Sequence, residues 1–155
     1  FLPLPDPGVG RGRCSAVTDY VGWYGKERHQ NWMTPPQFFN QLHEEFDFTM
    51  DGASEPGNGL LDKASSCENP LSWSGERVFC NPPWSNIAPF IERAKEATLA
   101  VLLVPARTNA KWFHRALELG ATAKFFKGRP RFVSPVTKEP AGTSPVDCLL
   151  LVFGE

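Results

Sequence analysis

"RVFCNPPWSNIAPFIERAKEATLAVLLVP", residues 77–105, decides the fold. Val78 to Cys80 read as a strand that stops abruptly, because Pro82 and Pro83 each lack the N–H that a central ladder needs. A helix-like pattern follows, roughly from Ile87 to Ala97, and then "LAVLLVP". That last run is apolar at every position rather than at every second one, the pattern of a strand covered on both faces. The stretch is therefore one strand–turn–helix–strand unit, the repeating element of a parallel sheet.

The flanking sequence continues the alternation. Upstream, "NWMTPPQFFNQLHEEF" places Phe38, Phe39, Leu42 and Phe46 at helical spacing, with Thr34 as N-cap and Pro35 at the first helical position. This predicts a helix over 35–45, followed by a short strand, "FDFTM", ending at Asp51. "DGASEPGNG" is loop by composition, and residues 60–76 have no clear period beyond the anchors Leu60, Leu61 and Trp73. Downstream, a helix over 111–119 ends at Gly120, a suitable C′ residue. "TAKFFK" reads as a strand, 128–145 as a Pro/Gly-rich excursion, and "DCLLLVF" as a final buried strand. The last two strands are joined without a helix, so they are expected to pair antiparallel at one edge. Residues 1–30, rich in Pro and Gly, read as an extended arm, and 31–155 as a single domain.

Composition narrows the possibilities. A chain of 155 residues with 41% hydrophobic and 21% charged residues suits one globular domain. The formal net charge is −1, so any basic footprint has to be local. Residues 105–131 supply one, holding Arg107, Lys111, Arg115, Lys124, Lys127, Arg129 and Arg131 against the single acid Glu118. Such a stretch is either a phosphate-facing surface or ordinary solvated charge. Cys14, Cys67, Cys80 and Cys148 show no C-x-x-C pair and no histidine at ligand spacing, so neither a metal site nor a disulfide framework is expected. No membrane span or signal-peptide pattern is visible, and a reducing intracellular compartment is the default expectation.

Ligands of open α/β sheets bind beyond the carboxyl ends of the strands, where residues 81–84 fall. The Asn81 side-chain oxygen and the Pro82 carbonyl can both accept from one exocyclic amine, and two prolines fix their relation. Trp84 offers a flat face for a base. Two acceptors on one –NH2 keep its lone pair aimed at an electrophile, which is what methylation of a ring-conjugated amine requires. The alternative is a plain Pro-Pro turn with Trp84 in the core.

Asn-Pro-Pro-aromatic after an apolar strand resembles the amine-binding motif of S-adenosylmethionine-dependent nucleic-acid methyltransferases. The wider pattern is similar to the phage-type DNA N6-adenine methyltransferases. It comprises Trp32-x-Thr34-Pro35-Pro36, then Phe48-Thr49-Met50-Asp51-Gly52-Ala53-Ser54-Glu55-Pro56-Gly57-Asn58, then Trp73-Ser74-Gly75 before Asn81-Pro82-Pro83-Trp84. Pro105-Ala106-Arg107-Thr108, Trp112-Phe113-His114 and Gly128-Arg129-x-x-Phe132 follow in order.

The resemblance implies a Rossmann-like class I methyltransferase sheet, mostly parallel with an antiparallel edge strand. Only about 26 residues separate Ser54 from Asn81 and no glycine-rich loop is present, so the cofactor side is expected to be abbreviated. The implied activity is methyl transfer to adenine N6 in double-stranded DNA, with S-adenosyl-L-methionine as cofactor and the target base flipped out. Asn81, Pro82, Pro83 and Trp84 would hold the base. Thr34, Pro35 and Pro36, with Asp51, Ala53 and Ser54, would hold the cofactor. Arg107, Lys127, Arg129 and Arg131 would contact nucleic acid, and His29, His43 and His114 would be structural. The same motif suits cytosine N4, adenine in RNA, or a non-catalytic binding relative. Kinship also suggests a phage or prophage gene acting in a bacterial cytoplasm.

Overall fold

The computed structural model describes residues 33–54, 59–66, 69–133, 144 and 146–154. The expected N-terminal arm, Trp32, His29, Cys14 and Cys67, and most of the 128–145 excursion lie outside these residues. Elements follow in the order α1 (Pro36–Phe46), β1 (Met50–Ser54), β2 (Ala64–Ser66), β3 (Arg77–Cys80), α2 (Ala88–Ala94), β4 (Leu99–Pro105), α3 (Lys111–Glu118), β5 (Thr122–Lys124) and β6 (Cys148–Gly154). The strands form one six-stranded sheet in the order β2-β1-β3-β4-β6-β5. β1 pairs in parallel with β2 and β3, and β3 with β4. β6 runs antiparallel between β4 and β5. The antiparallel strand is thus one place in from the edge, and β5 closes that side.

α1 lies on one face of the sheet, with Phe39, Leu42 and Phe46 packed on Phe48, Phe79, Val101, Leu103 and Leu150. α2 and α3 cover the other face, where Ile91, Ala94, Phe113 and Ala116 meet Val78, Cys80, Leu102, Val104 and Leu151. β4 is buried at all of its positions and β6 at all but Gly154, so both faces of the central sheet are covered, as their unbroken apolar runs require. Cys80 and Cys148 are buried free thiols, and burial pushes both above the usual thiol range.

Several local expectations shift: α2 ends at Ala94 rather than Ala97, β5 stops at Lys124 short of the expected 122–127, and three changes lie on the α1–β2 side. α1 starts one residue late: Pro35 is the N-cap at φ −57°, ψ 129°, and Pro36 opens the helix. A residue that precedes proline is held out of the α region, so Pro35 stays extended and Thr34 cannot cap. β1 does not end at Asp51; it begins at Met50 and continues through the weak strand formers Gly52 and Ala53. Pairing with β2 on one side and β3 on the other holds it. β2 itself carries no apolar signal, and its Ala-Ser-Ser pairs as a strand with β1 alone among the described residues. No helix is present between β1 and β3 among the described residues, so the shortened side of the sheet is a three-residue edge strand.

Candidate active site

The chain leaves β1 towards β2 on one side and returns to β3 on the other, so the strand order reverses at β1. Met50 pairs with Val78 and Asp51 with Phe79, which sets the carboxyl ends of β1 and β3 side by side at the switch point. Residues 81–84 leave β3 there. Asn81 is half-buried and Pro82 buried. The Asn86 N–H donates to the Pro83 carbonyl at 2.9 Å and closes the turn, while the Pro82 carbonyl has no hydrogen-bond partner among the described residues. Trp84 is partly exposed. Its ring meets Phe132 edge-on, with centroids 5.5 Å apart and planes at 83°. The tryptophan is therefore neither a core residue nor a free surface ring; one side is braced.

The brace connects three segments. Val133, beside Phe132, exchanges two backbone hydrogen bonds of 2.9 Å with Met33. Met33 leads into Thr34-Pro35-Pro36, and Thr34 is buried. The Thr-Pro-Pro, Asn-Pro-Pro-Trp and Gly-Arg-x-x-Phe segments thus meet at one edge of the sheet. Phe132 and the Met33–Val133 bridge are the pieces that reading the chain left without a role. Phe132 carries a signal as the last residue of the Gly-Arg-x-x-Phe pattern, but nothing in the chain points to its contact with Trp84 or to the Met33–Val133 bridge.

Asp51 lies 3% exposed on β1, next to the switch point. Its Oδ1 accepts from the Ala53 N–H at 3.2 Å and its Oδ2 from the Leu60 N–H at 3.0 Å. Burial raises its pKa to about 6, against the lowering effect of the two amides. The Asp51 carboxyl therefore already ties Leu60, late in the segment between β1 and β2, to β1. Ser54 donates to the Ser65 carbonyl at 3.3 Å, linking β1 to β2. Trp73 is fully buried below this corner, with its Nε1–H unpartnered, Arg93 stacked 4.8 Å over its ring, and Gly52 against its edge.

The basic stretch divides in two. Arg115 is consumed by Glu92 at 2.6 Å and Lys124 by Glu45 at 2.9 Å. Arg107, Lys111, Lys127 and Arg131 are exposed, with side chains unpaired among the described residues. Arg107 follows β4 and Lys127 and Arg131 follow β5, all at the carboxyl edge. Arg129 is held there by Asp147 at 2.9 Å. His43 accepts the Phe48 N–H at 3.1 Å through Nδ1, a structural role, and His114 is exposed on α3. No helix among the described residues is long and apolar enough to cross a membrane.

A three-layer α/β sheet whose switch point carries an Asn-Pro-Pro-Trp turn has the architecture of a Rossmann-like methyltransferase. The family described as DNA N-6-adenine-methyltransferase (Dam) matches residues 24–155, and the chain belongs to it. It is accordingly an enzyme whose family transfers methyl groups to adenine N6 in DNA. No curated protein matches the chain.

Proposed function

We propose that this domain, residues 31–155, methylates adenine N6 in double-stranded DNA on a base extruded into the Asn81-Pro82-Pro83-Trp84 turn, with S-adenosyl-L-methionine as methyl donor. The observation that carries this reading is the turn's position: two carbonyl acceptors, Asn81 Oδ1 and the Pro82 oxygen, which has no partner among the described residues, follow one another at the switch point of the sheet. The donor, when bound, supplies an electrophilic methyl group on a cationic sulfur.

The residues present fit such a group in kind. Asp51 is a buried carboxylate whose charge is disfavoured where it stands, so a cation beside it offsets that cost. Ala53 and Ser54 shape the same corner, and Thr34-Pro35-Pro36 would cover it from the α1 side. Asn81 and Pro82 would accept the two amine hydrogens, orient the nitrogen lone pair, and match the positive charge that develops on nitrogen. Trp84 would stack on the base and return roughly 1–3 kcal/mol of the few kcal/mol that extrusion costs. Arg107, Lys127, Arg129 and Arg131 would hold the phosphates that flank the target. No covalent enzyme intermediate is needed.

Nucleoside mass spectrometry on unmethylated DNA incubated with the protein and S-adenosylmethionine tests the reading, with Asn81→Ala alongside. N6-methyladenine that disappears with Asn81→Ala is the expected result. N4-methylcytosine, or methylation confined to RNA, would replace the substrate, and no methylated base with no cofactor binding would replace the reading by a binding role.

A further inference from the structure

Among the described residues two large apolar side chains are exposed: Leu117 at 43%, on the outside of α3, and Phe125 at 79%. Phe125 follows β5 at the carboxyl edge of the sheet. Both its neighbours are fastened to the α1 side. Lys124 pairs with Glu45 and lies 4.8 Å over the Phe46 ring, and Phe126 packs on Phe38 with ring centroids 5.1 Å apart. With Lys124 and Phe126 both fastened to α1, the Phe125 ring between them is left facing solvent. Gly128, at φ +89°, then turns the chain towards Arg129. Phe125 is thus an aromatic ring held out of the core by anchored flanks.

Its surroundings are cationic. Among the described residues, Lys127 and Arg131, close to it in sequence, and Arg107 and Lys111, at the same edge, have no ion-pair partner. The cores of protein interfaces are depleted of charge, so this mixture suits a protein partner poorly. A nucleic acid presents phosphates for the cations and π faces for the ring. Three strand spacings separate β5 from β3, about 14 Å, close to the width of a major groove.

We propose that Phe125 is a wedge that enters the duplex and stacks in the gap left when the target adenine moves to Asn81. The inference rests on the reading of adenine methylation in duplex DNA given above. Apolar side chains inserted between base steps unstack and kink DNA in just this manner, and the wedge would act on the paired state of the target rather than on the chemistry.

The test compares Phe125→Ala with the wild-type chain on a duplex bearing a paired target adenine, and on the same duplex with an abasic site opposite that adenine. The expected loss of kcat/KM on the paired target is about tenfold. On the unpaired target the variant should stay within about twofold of wild type, and Phe125→Tyr should resemble wild type on both. Equal losses on both substrates, or no loss on either, overturn the wedge. Phe125→Trp separates this proposal from the function it rests on. If wild type methylates no adenine, quenching of the added indole by duplex still supports insertion. A rise in DNA anisotropy with unmoved emission sinks the wedge alone, and no rise in anisotropy sinks the DNA reading with it.

Discussion

The Phe132 ring stands edge-on to Trp84, 5.5 Å away at 83°, and the neighbouring Val133 is bonded to Met33. Through this contact the loop after β5 fixes the tryptophan at the end of β3, and the entry to α1 fixes the loop. The position of the Trp84 ring is therefore set by residues distant in sequence on both sides.

Phe132→Leu should leave the fold intact and impair the site. The ring is 5% exposed, so the substitution costs about 1 kcal/mol of stability. Loss of the brace should lower kcat/KM on DNA about tenfold, because small misplacements of a positioning group are costly. Phe46→Leu is the control. That ring is equally buried and stacks on Phe48 with centroids 5.8 Å apart, at the end of α1 opposite Thr34-Pro35-Pro36. Its stability loss should be similar, with kcat nearly unchanged. Equal effects of the two variants on kcat would argue against a positioning role.

Asp51 gives a pH dependence with a definite sign. Its folded-state pKa, about 6, lies above the ordinary value of 3.8, so the folded state binds the proton more tightly. The contribution to stability is fully present below about 4 and is lost as pH rises through 6, up to about 2–3 kcal/mol. Chemical denaturation at pH 5 and pH 7.5 should show the wild type losing stability on the alkaline side, with Asp51→Asn nearly flat. A cationic donor lying against Asp51 would stabilise its charged form. Saturating S-adenosylmethionine should therefore flatten the wild-type profile, and uncharged-sulfur S-adenosylhomocysteine should do so less.

Salt titrations should separate the two halves of the basic stretch. Alanine at Arg107, Lys127 or Arg131 should each reduce the slope of log affinity against log salt by about 1. Alanine at Arg115 or Lys124 should leave the slope unchanged, since Glu92 and Glu45 already hold those cations. Arg129 should fall between, because contact with a phosphate would replace its pairing with Asp147. Five equal slopes would mean that proximity in sequence, rather than pairing, governs the footprint.

How much of this was legible in the chain depends on how local each signal is. Two prolines end β3 within the motif itself, and the runs 99–105 and 148–153 announce two-sided burial without reference to anything else. The fold class and the turn at the end of β3 follow from those stretches. β2 was not legible, because Ala-Ser-Ser has no apolar period and is held by pairing. The extension of β1 through Gly52 and Ala53 was hidden for the same reason. The sorting of the cations was hidden because the acids that neutralise Arg115 and Lys124 lie 23 and 79 residues away. Phe132 matched the family pattern, but only the folded chain gives it a partner.

Packing accounts for the small residue Gly52 on β1, and the account can be tested by rescue. A Cβ at this position would sit 2.6 Å from Trp73 Cζ2, 3.1 Å from Cε2 and 2.7 Å from Val78 Cγ1. All three belong to fully buried side chains in a packed core, so Gly52→Ala should cost about 1–3 kcal/mol. Trp73→Phe removes Cζ2 and also removes the Nε1–H that has no partner in the core. Deleting an unsatisfied buried donor offsets part of the lost packing, so the single Trp73→Phe change should be milder than the size difference suggests. The double variant should be more stable than the sum of the two losses predicts, with a coupling of about 1 kcal/mol in a double-mutant cycle. Strict additivity would mean that Val78, not the indole, forbids the side chain. Gly52→Ala with Val78→Ala is then the pair that should show the coupling.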